Sequence, residues 1–256
     1  MSVVVDEATA GILRQYADRY ETVDFLVGDP SWWMHQVKGD ANREAMAFVA
    51  SCLSYGSRKQ FMPKIGQLLE WSGGDFDGWI RQGGYSHHLK SGDSSCYYRL
   101  YNCGCMHRFL SAYQRLLCDY DTLGGFLRGR VNDGFGAVSA ICNYFACHDA
   151  GGVIPKDTQS ACKRVCMFLR WMVRDASPVD LGLWADFIDR RTLIMPLDTH
   201  VVSQSVRLGL LTTASASMSA ARNLTAKLAT VFPDDPLKGD FALFGYGVMC
   251  EQRTMN

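Results

Sequence analysis

From Ala161 to Arg174 the apolar residues Ala161, Val165, Phe168, Leu169 and Met172 recur at i, i+4, i+7, i+8 and i+11. An α-helix with one apolar stripe satisfies that spacing; a strand, whose side chains alternate every second residue, does not. The stripe leaves Lys163, Arg170 and Arg174 off the expected core face. The same period returns along the chain. Ala8, Ile12, Leu13, Tyr16 and Tyr20 mark a helix over residues 6–20. Ala45, Phe48, Val49, Cys52 and Leu53, followed by Ile65, Leu68 and Leu69, predict two helices between Ala41 and Leu69. Met106, Leu110, Tyr113 and Leu117 mark another from Gly104 to Asp119, and Val138, Ile141, Tyr144 and Phe145 one from Asp133 to Cys147. Two last helices are expected at about Met218 to Phe232 and Lys238 to Gln252. No stretch alternates convincingly enough for a strand, so the expected fold class is all-α.

Two stretches break the pattern. Asp29-Pro30 to Asp40 reads as a loop, and its Trp32, Trp33, Met34 and His35 are of types more often packed than exposed. Residues 72–96 are rich in Gly, Ser and Asp, with Gly73-Gly74, Gly83-Gly84 and His87-His88, and read as an irregular insertion of a length that loops reach when functional or mobile. A chain of 256 residues fits one large domain or two tightly joined lobes.

With 48% apolar and 12% aromatic residues the chain can bury a sizeable core. Its apolar runs are too short for a membrane span, and Met-Ser-Val-Val-Val-Asp-Glu lacks the pattern of a signal peptide, so a cytoplasmic location is expected. The ten cysteines suit that compartment as reduced, mostly buried residues. Cys103 and Cys105 with His107, Cys142 with Cys147 and His148, and Cys162 with Cys166 lack paired C-x-x-C spacing, so no metal is expected. Twenty-six basic and 26 acidic residues give zero net charge, which weighs against a nucleic-acid partner. Distribution matters more than the sum. Lys156, Lys163, Arg164, Arg170 and Arg174 form a local patch opposed only by Asp157, although a solvated basic helix face would look the same.

Chemistry is expected between Leu193 and Leu211. An apolar run, Leu193 to Leu197, ends on Asp198, and Val201, Val202, Ser205, Val206 and Leu208 then follow helical spacing up to Gly209. Asp198 thus falls at a helix N-terminus, where free backbone N–H groups keep a carboxylate ionised and fix its direction. It can be a cap alone, or a fixed negative charge that reacts.

Pro196-Leu197-Asp198-Thr199-His200-Val201, followed by Arg207-Leu208-Gly209-Leu210, resembles the catalytic segment of the helix-hairpin-helix DNA glycosylases. A longer resemblance runs from about residue 29 to 248. It is carried by Asp29-Pro30, Tyr55-Gly56-Ser57-Arg58-Lys59, Tyr98-Arg99-Leu100-Tyr101-Asn102, Lys163-Arg164, the string Met167 to Arg174, Asp235-Pro236 and Asp240 to Gly245. It points to DUF2400, a bacterial family named largely without a function, close in kind to archaeal 8-oxoguanine glycosylases.

The resemblance implies two helical lobes flanking a DNA-binding cleft, one of about 29–150 and a catalytic one of about 151–256, with the 6–20 helix packing on the body. It implies a monomer that extrudes a modified base from double-stranded DNA and cuts its N-glycosidic bond. Asp198 would stabilise the positive charge developing on the sugar. Lys163, at the start of the preceding helix, would attack C1′ and add lyase activity, or only hold a phosphate. The usual Gly-Val-Gly hairpin before that lysine is replaced here by Ile154 to Ser160. Asp240, Phe241 and Phe244 would line the base pocket. Arg58, Lys59 and Gln60, at a junction that faces the minor groove in the superfamily, would meet DNA or be ordinary surface residues; Lys156, Arg164 and His200 would add DNA contacts. Only Cys250 lies in the last 90 residues, so the iron–sulfur cluster of some relatives is not expected, nor any other cofactor. The substrate reading prefers a bulky modified cytosine, glucosylated hydroxymethylcytosine of phage DNA, by resemblance to antiphage glycosylases. An 8-oxoguanine glycosylase and lyase is the alternative, and a non-catalytic DNA-binding module of the same fold is the second.

Overall fold

The computed structural model describes the backbone of residues 4–255 and the side chains of residues 4–250, so Met1, Ser2 and Val3 of the N-terminal reading lie outside the described residues. The chain is predominantly helical and divides into two compact units. One comprises residues 28–132 and 136–157; the other comprises 1–27, 133–135 and 158–256.

The first unit holds α2 (Asp40–Leu53), α3 (Arg58–Trp71), α4 (Phe76–Arg81), α5 (Cys103–Tyr120), α6 (Leu123–Leu127) and nearly all of α7 (Gly134–Cys147). Helix α2 is buried without a break from Glu44 to Leu53. Its Phe48 ring lies 4.7 Å from Tyr113, 5.3 Å from Phe145 and 5.8 Å from Phe109, so helices far apart in sequence share one aromatic core. Glu44 is buried as well, and its carboxylate accepts from the Leu123 and Gly124 amides at 2.6 and 3.2 Å, satisfying the open end of α6.

Two expectations change here. Residues 72–96 are irregular only in part, over 72–75, 82–83 and 88–95. Asp75 caps α4 through the Gly78 amide, the Asp77 amide donates to Asn42, and a 3-10 turn follows at Gly84–His87. Strand β1 (Cys96–Tyr98) then pairs antiparallel with β2 (Tyr101–Asn102), a small hairpin with too few residues to show alternation. Residues 30–35 form a 3-10 turn capped by Asp29, in which Met34 is buried while Trp32 stays exposed.

The second unit holds α1 (Glu7–Tyr20), α8 (Lys163–Val173), α9 (Thr199–Arg207), α10 (Met218–Val231) and α11 (Lys238–Met255). Helix α1 lies along α11, which also meets α9. Helix α8 is buried on every side from Val165 to Val173. This overturns the placement of Arg170 and Arg174 off the core face: they are 3% and 1% exposed. Arg174 donates through Nε to both oxygens of Asp235 at 2.9 and 3.0 Å, and also pairs with Asp180 and Glu21. Burial acts against its charge, but those three carboxylates more than compensate and hold the guanidinium above its ordinary pKa. The five-cation patch therefore loses two members to an internal ion network.

Among the described residues no helix is long and apolar enough to cross a membrane, and no group of three His, Cys, Asp or Glu side chains is placed to hold a metal ion. All ten cysteines are free thiols.

Candidate active site

The run Leu193–Leu197 is buried and delivers Asp198 in extended backbone at φ −113° and ψ −179° to the mouth of α9. Its two carboxylate oxygens have different partners. Oδ1 accepts from the Val201 amide at 2.9 Å, the N-cap bond, and Oδ2 lies 3.6 Å from Lys163 Nζ. The cap and the reactive carboxylate are therefore compatible in one residue, because capping occupies one oxygen and fixes the other.

Lys163 opens α8. The residue before it, Cys162, is left-handed at φ 46° and offers no side-chain cap, and Ser160 makes an isolated bridge to Ser217. The lead-in to α8 is thus non-helical over 148–162. The side chains of Lys163 and Asp198 are 28% and 39% exposed, so both can be reached from solvent.

Asp240 sits in the first turn of α11 and is bonded to Arg170. Burial pushes its carboxyl above the ordinary value and Asp198 adds to that, while Arg170 and Lys163 pull the other way. Asp240, Asp198 and Lys163 therefore share one electrostatic neighbourhood. Arg170, which sequence reasoning assigned to a surface patch, links this neighbourhood to the interior: its Nε lies 3.3 Å from Asp180 Oδ1, the carboxylate that Arg174 also holds. The signal available in the sequence was that Lys163, Arg170 and Arg174 lie seven and four residues apart, on one side of α8.

The remaining predicted residues fall into three settings. Phe241 is fully buried, with the Arg170 guanidinium 4.7 Å and the Phe25 ring 4.8 Å from its centroid. Phe244 is half-buried, edge-on to Phe25 at 5.1 Å and to Tyr20 at 5.8 Å. His200 is turned inward: its Nε2 is buried without a hydrogen-bond partner among the described residues, so close to Gly247 that an added Cβ there would come within 2.3 Å. Arg164 is half-buried at the mouth of α8. In the other unit Arg58, Lys59 and Gln60 are exposed on the first turn of α3, with Arg58 Nη2 3.4 Å from Asp29 Oδ2, and Lys156 is exposed.

No curated protein and no solved structure matches this chain. The profile of DUF2400, a protein family described as being of unknown function, matches residues 29–249. Since that match spans most of the chain, the chain belongs to the DUF2400 family.

Proposed function

We propose that this protein is a DNA glycosylase with an associated lyase step, acting on a modified base extruded from double-stranded DNA. One observation carries the reading: an amine and a carboxylate thirty-five residues apart in sequence stand 3.6 Å apart at two helix mouths, both open to solvent. As the C1′–N bond breaks, its electron pair leaves with the base and positive charge grows on the sugar. The fixed Oδ2 of Asp198 stabilises that charge. The amine of Lys163 attacks C1′, its lone pair forming the new C–N bond and a proton passing to a carboxylate or water; ring opening then yields a Schiff base. If water attacks instead, the products are free base and an abasic site.

Asp240 is suited to hydrogen-bonding the extruded base, since a carboxyl held by Arg170 has a fixed direction. Phe241 is fully buried and supports the Arg170 guanidinium, so half-buried Phe244 is the ring assigned to meet the base. A bulky modified cytosine and 8-oxoguanine both remain substrates to test, and a non-catalytic DNA-binding role is the competing outcome.

Borohydride trapping on duplexes carrying these bases separates the readings. A covalent adduct is expected with the native chain and with a variant of the exposed, unassigned Lys38, Lys38→Gln, and none with Lys163→Gln. Asp198→Ala is expected to slow base release, followed by mass spectrometry, by about 10²–10⁴-fold. If no base is released from any duplex and Asp198→Ala behaves as the native chain does, the enzyme reading is wrong.

A further inference from the structure

Along one side of α5, Arg108, Ala112 and Arg115 follow one another at about one-turn intervals, with His107 beside the first. Together with His148 and Asp149, just beyond the end of α7, they line a cleft of about 530 Å³. That volume lies within the roughly 300–1,000 Å³ of small-molecule sites. All of these residues belong to the first unit, whereas Lys163 and Asp198 belong to the other. Ala112, 4% exposed, forms the floor, and its small side chain keeps the space between the two arginines open.

The polar groups of the cleft are held in place by bonds that leave part of each available. His107 Nδ1 lies 2.8 Å from the Leu89 carbonyl and His148 Nδ1 2.7 Å from the Tyr144 carbonyl. A carbonyl oxygen only accepts, so each ring carries a proton on Nδ1. Nε2 then accepts from a hydroxyl when the ring is neutral and donates to an anion when it is protonated. The His148 ring is stacked on Tyr144 at 4.1 Å, and His107 stands edge-on to Tyr85 at 5.3 Å. The turn after α7 is equally fixed: Asp149 is left-handed at φ 48°, and a Cβ on Gly151 would come within 2.6 Å of the Cys105 carbonyl oxygen. Groups ordered before a ligand arrives cost little entropy when it binds.

The two ends of the cleft differ. At one, Arg108 Nε lies 3.3 Å from Asp149 Oδ2, so a donor and an acceptor stand side by side. At the other, Arg115 is 67% exposed and meets Asp119 only at 3.9 Å. Burial raises the Tyr144 hydroxyl, on which the charges of Asp119 and Arg115 act in opposite directions, so the ring that carries His148 lies near Arg115. That hydroxyl is buried without a hydrogen-bond partner among the described residues. An arginine has five N–H donors, and a guanidinium held this loosely retains most of them for an anion. Seven residues of helix separate the arginines by about 10 Å, too far for one small anion to serve both ends. A ligand that fills the cleft therefore has an anionic group at one end and hydroxyls at the other.

We infer that this cleft binds a small phosphorylated sugar or a nucleoside monophosphate, with its phosphate between Arg115 and His148 and its hydroxyls at the Arg108 and Asp149 pair. The inference does not rest on base excision.

Calorimetric titration of the full-length chain tests it with ribose 5-phosphate, which carries the chemistry common to both ligand classes. Binding is expected with a dissociation constant of about 1 mM or tighter, tighter than that of inorganic phosphate, and ribose alone is expected not to bind. Arg115→Gln should weaken it by about 10–100-fold, the loss of a hydrogen bond to a charged group, at an unchanged melting temperature because the side chain is solvated. Ala112→Leu should weaken it by filling the floor, and Lys38→Gln should leave it as in the native chain. AMP distinguishes the two sources: tighter binding than ribose 5-phosphate assigns a nucleotide, and equal or weaker binding assigns a sugar phosphate. Absence of ribose 5-phosphate binding overturns the proposal, as does binding that survives unchanged in both Arg115→Gln and Ala112→Leu. Inorganic phosphate bound as tightly as ribose 5-phosphate overturns the sugar-bearing ligand. Zinc bound through His148 in a chain that takes no phosphate overturns it as well and gives the imidazoles to a metal ion.

Discussion

The two ends of α8 carry the same kind of side chain and put it to opposite uses. At the N-terminal turn Lys163 keeps part of its surface in solvent, with Asp198 Oδ2 3.6 Å from its Nζ. Seven and eleven residues further on, Arg170 and Arg174 are buried among Asp180, Asp235, Glu21 and Asp240. A lysine near water carries an amine that can exchange its proton and react; an arginine in the interior, with its planar fork saturated by carboxylates, holds a fixed charge. Charge type on a helix face therefore says little until the number and depth of the partners are known. Asp240 joins the two regimes, because its carboxyl is bonded to the interior arginine and feels the mouth carboxylate.

Breaking the interior end should have the largest effect. Arg174→Ala leaves Asp235, Asp180 and Glu21 without their shared cation, and is expected to cost about 3–5 kcal/mol, the usual loss when one partner of a buried pair is removed. Denaturant unfolding measures it, and a loss below 1 kcal/mol would mean that the network relaxes or takes in water. The joining residue should show itself through pH. Burial raises the Asp240 carboxyl above its ordinary 3.8, so just above that pH the folded chain holds a proton that the unfolded chain has released. The corresponding stability is fully present below 3.8 and is lost as pH rises through the folded value. The stability of the native chain relative to Asp240→Asn should accordingly fall as pH increases over that window; a difference that is flat with pH contradicts the assignment. The mouth should be the least sensitive. Lys163→Gln removes one partly solvated pair and is expected to change stability by less than about 1 kcal/mol, so that any loss of the trapped adduct is a loss of chemistry rather than of fold.

Legibility in the sequence follows the range of the interactions involved. The apolar period over 161–172 located α8, and an apolar run ending on Asp198 located the mouth of α9, because spacing and capping act within one or two turns. Helix α4 and the hairpin were missed because they are short, and are held by distant residues such as Asn42 and Tyr55 rather than by their own propensity.

By itself, then, the sequence determined that the chain is helical, where its main helices lie, and that Asp198 caps one of them. Only the tertiary structure decided that Arg170 and Arg174 face inward, since the acids that hold them come from α11, the segment after α8, the approach to α11 and the end of α1. It also decided that the end of α7 lies beside α5, so that His148 and Arg115 line one cleft. Helical period is set by the backbone of neighbouring residues; the burial of a charge is set by whichever remote side chains arrive to neutralise it.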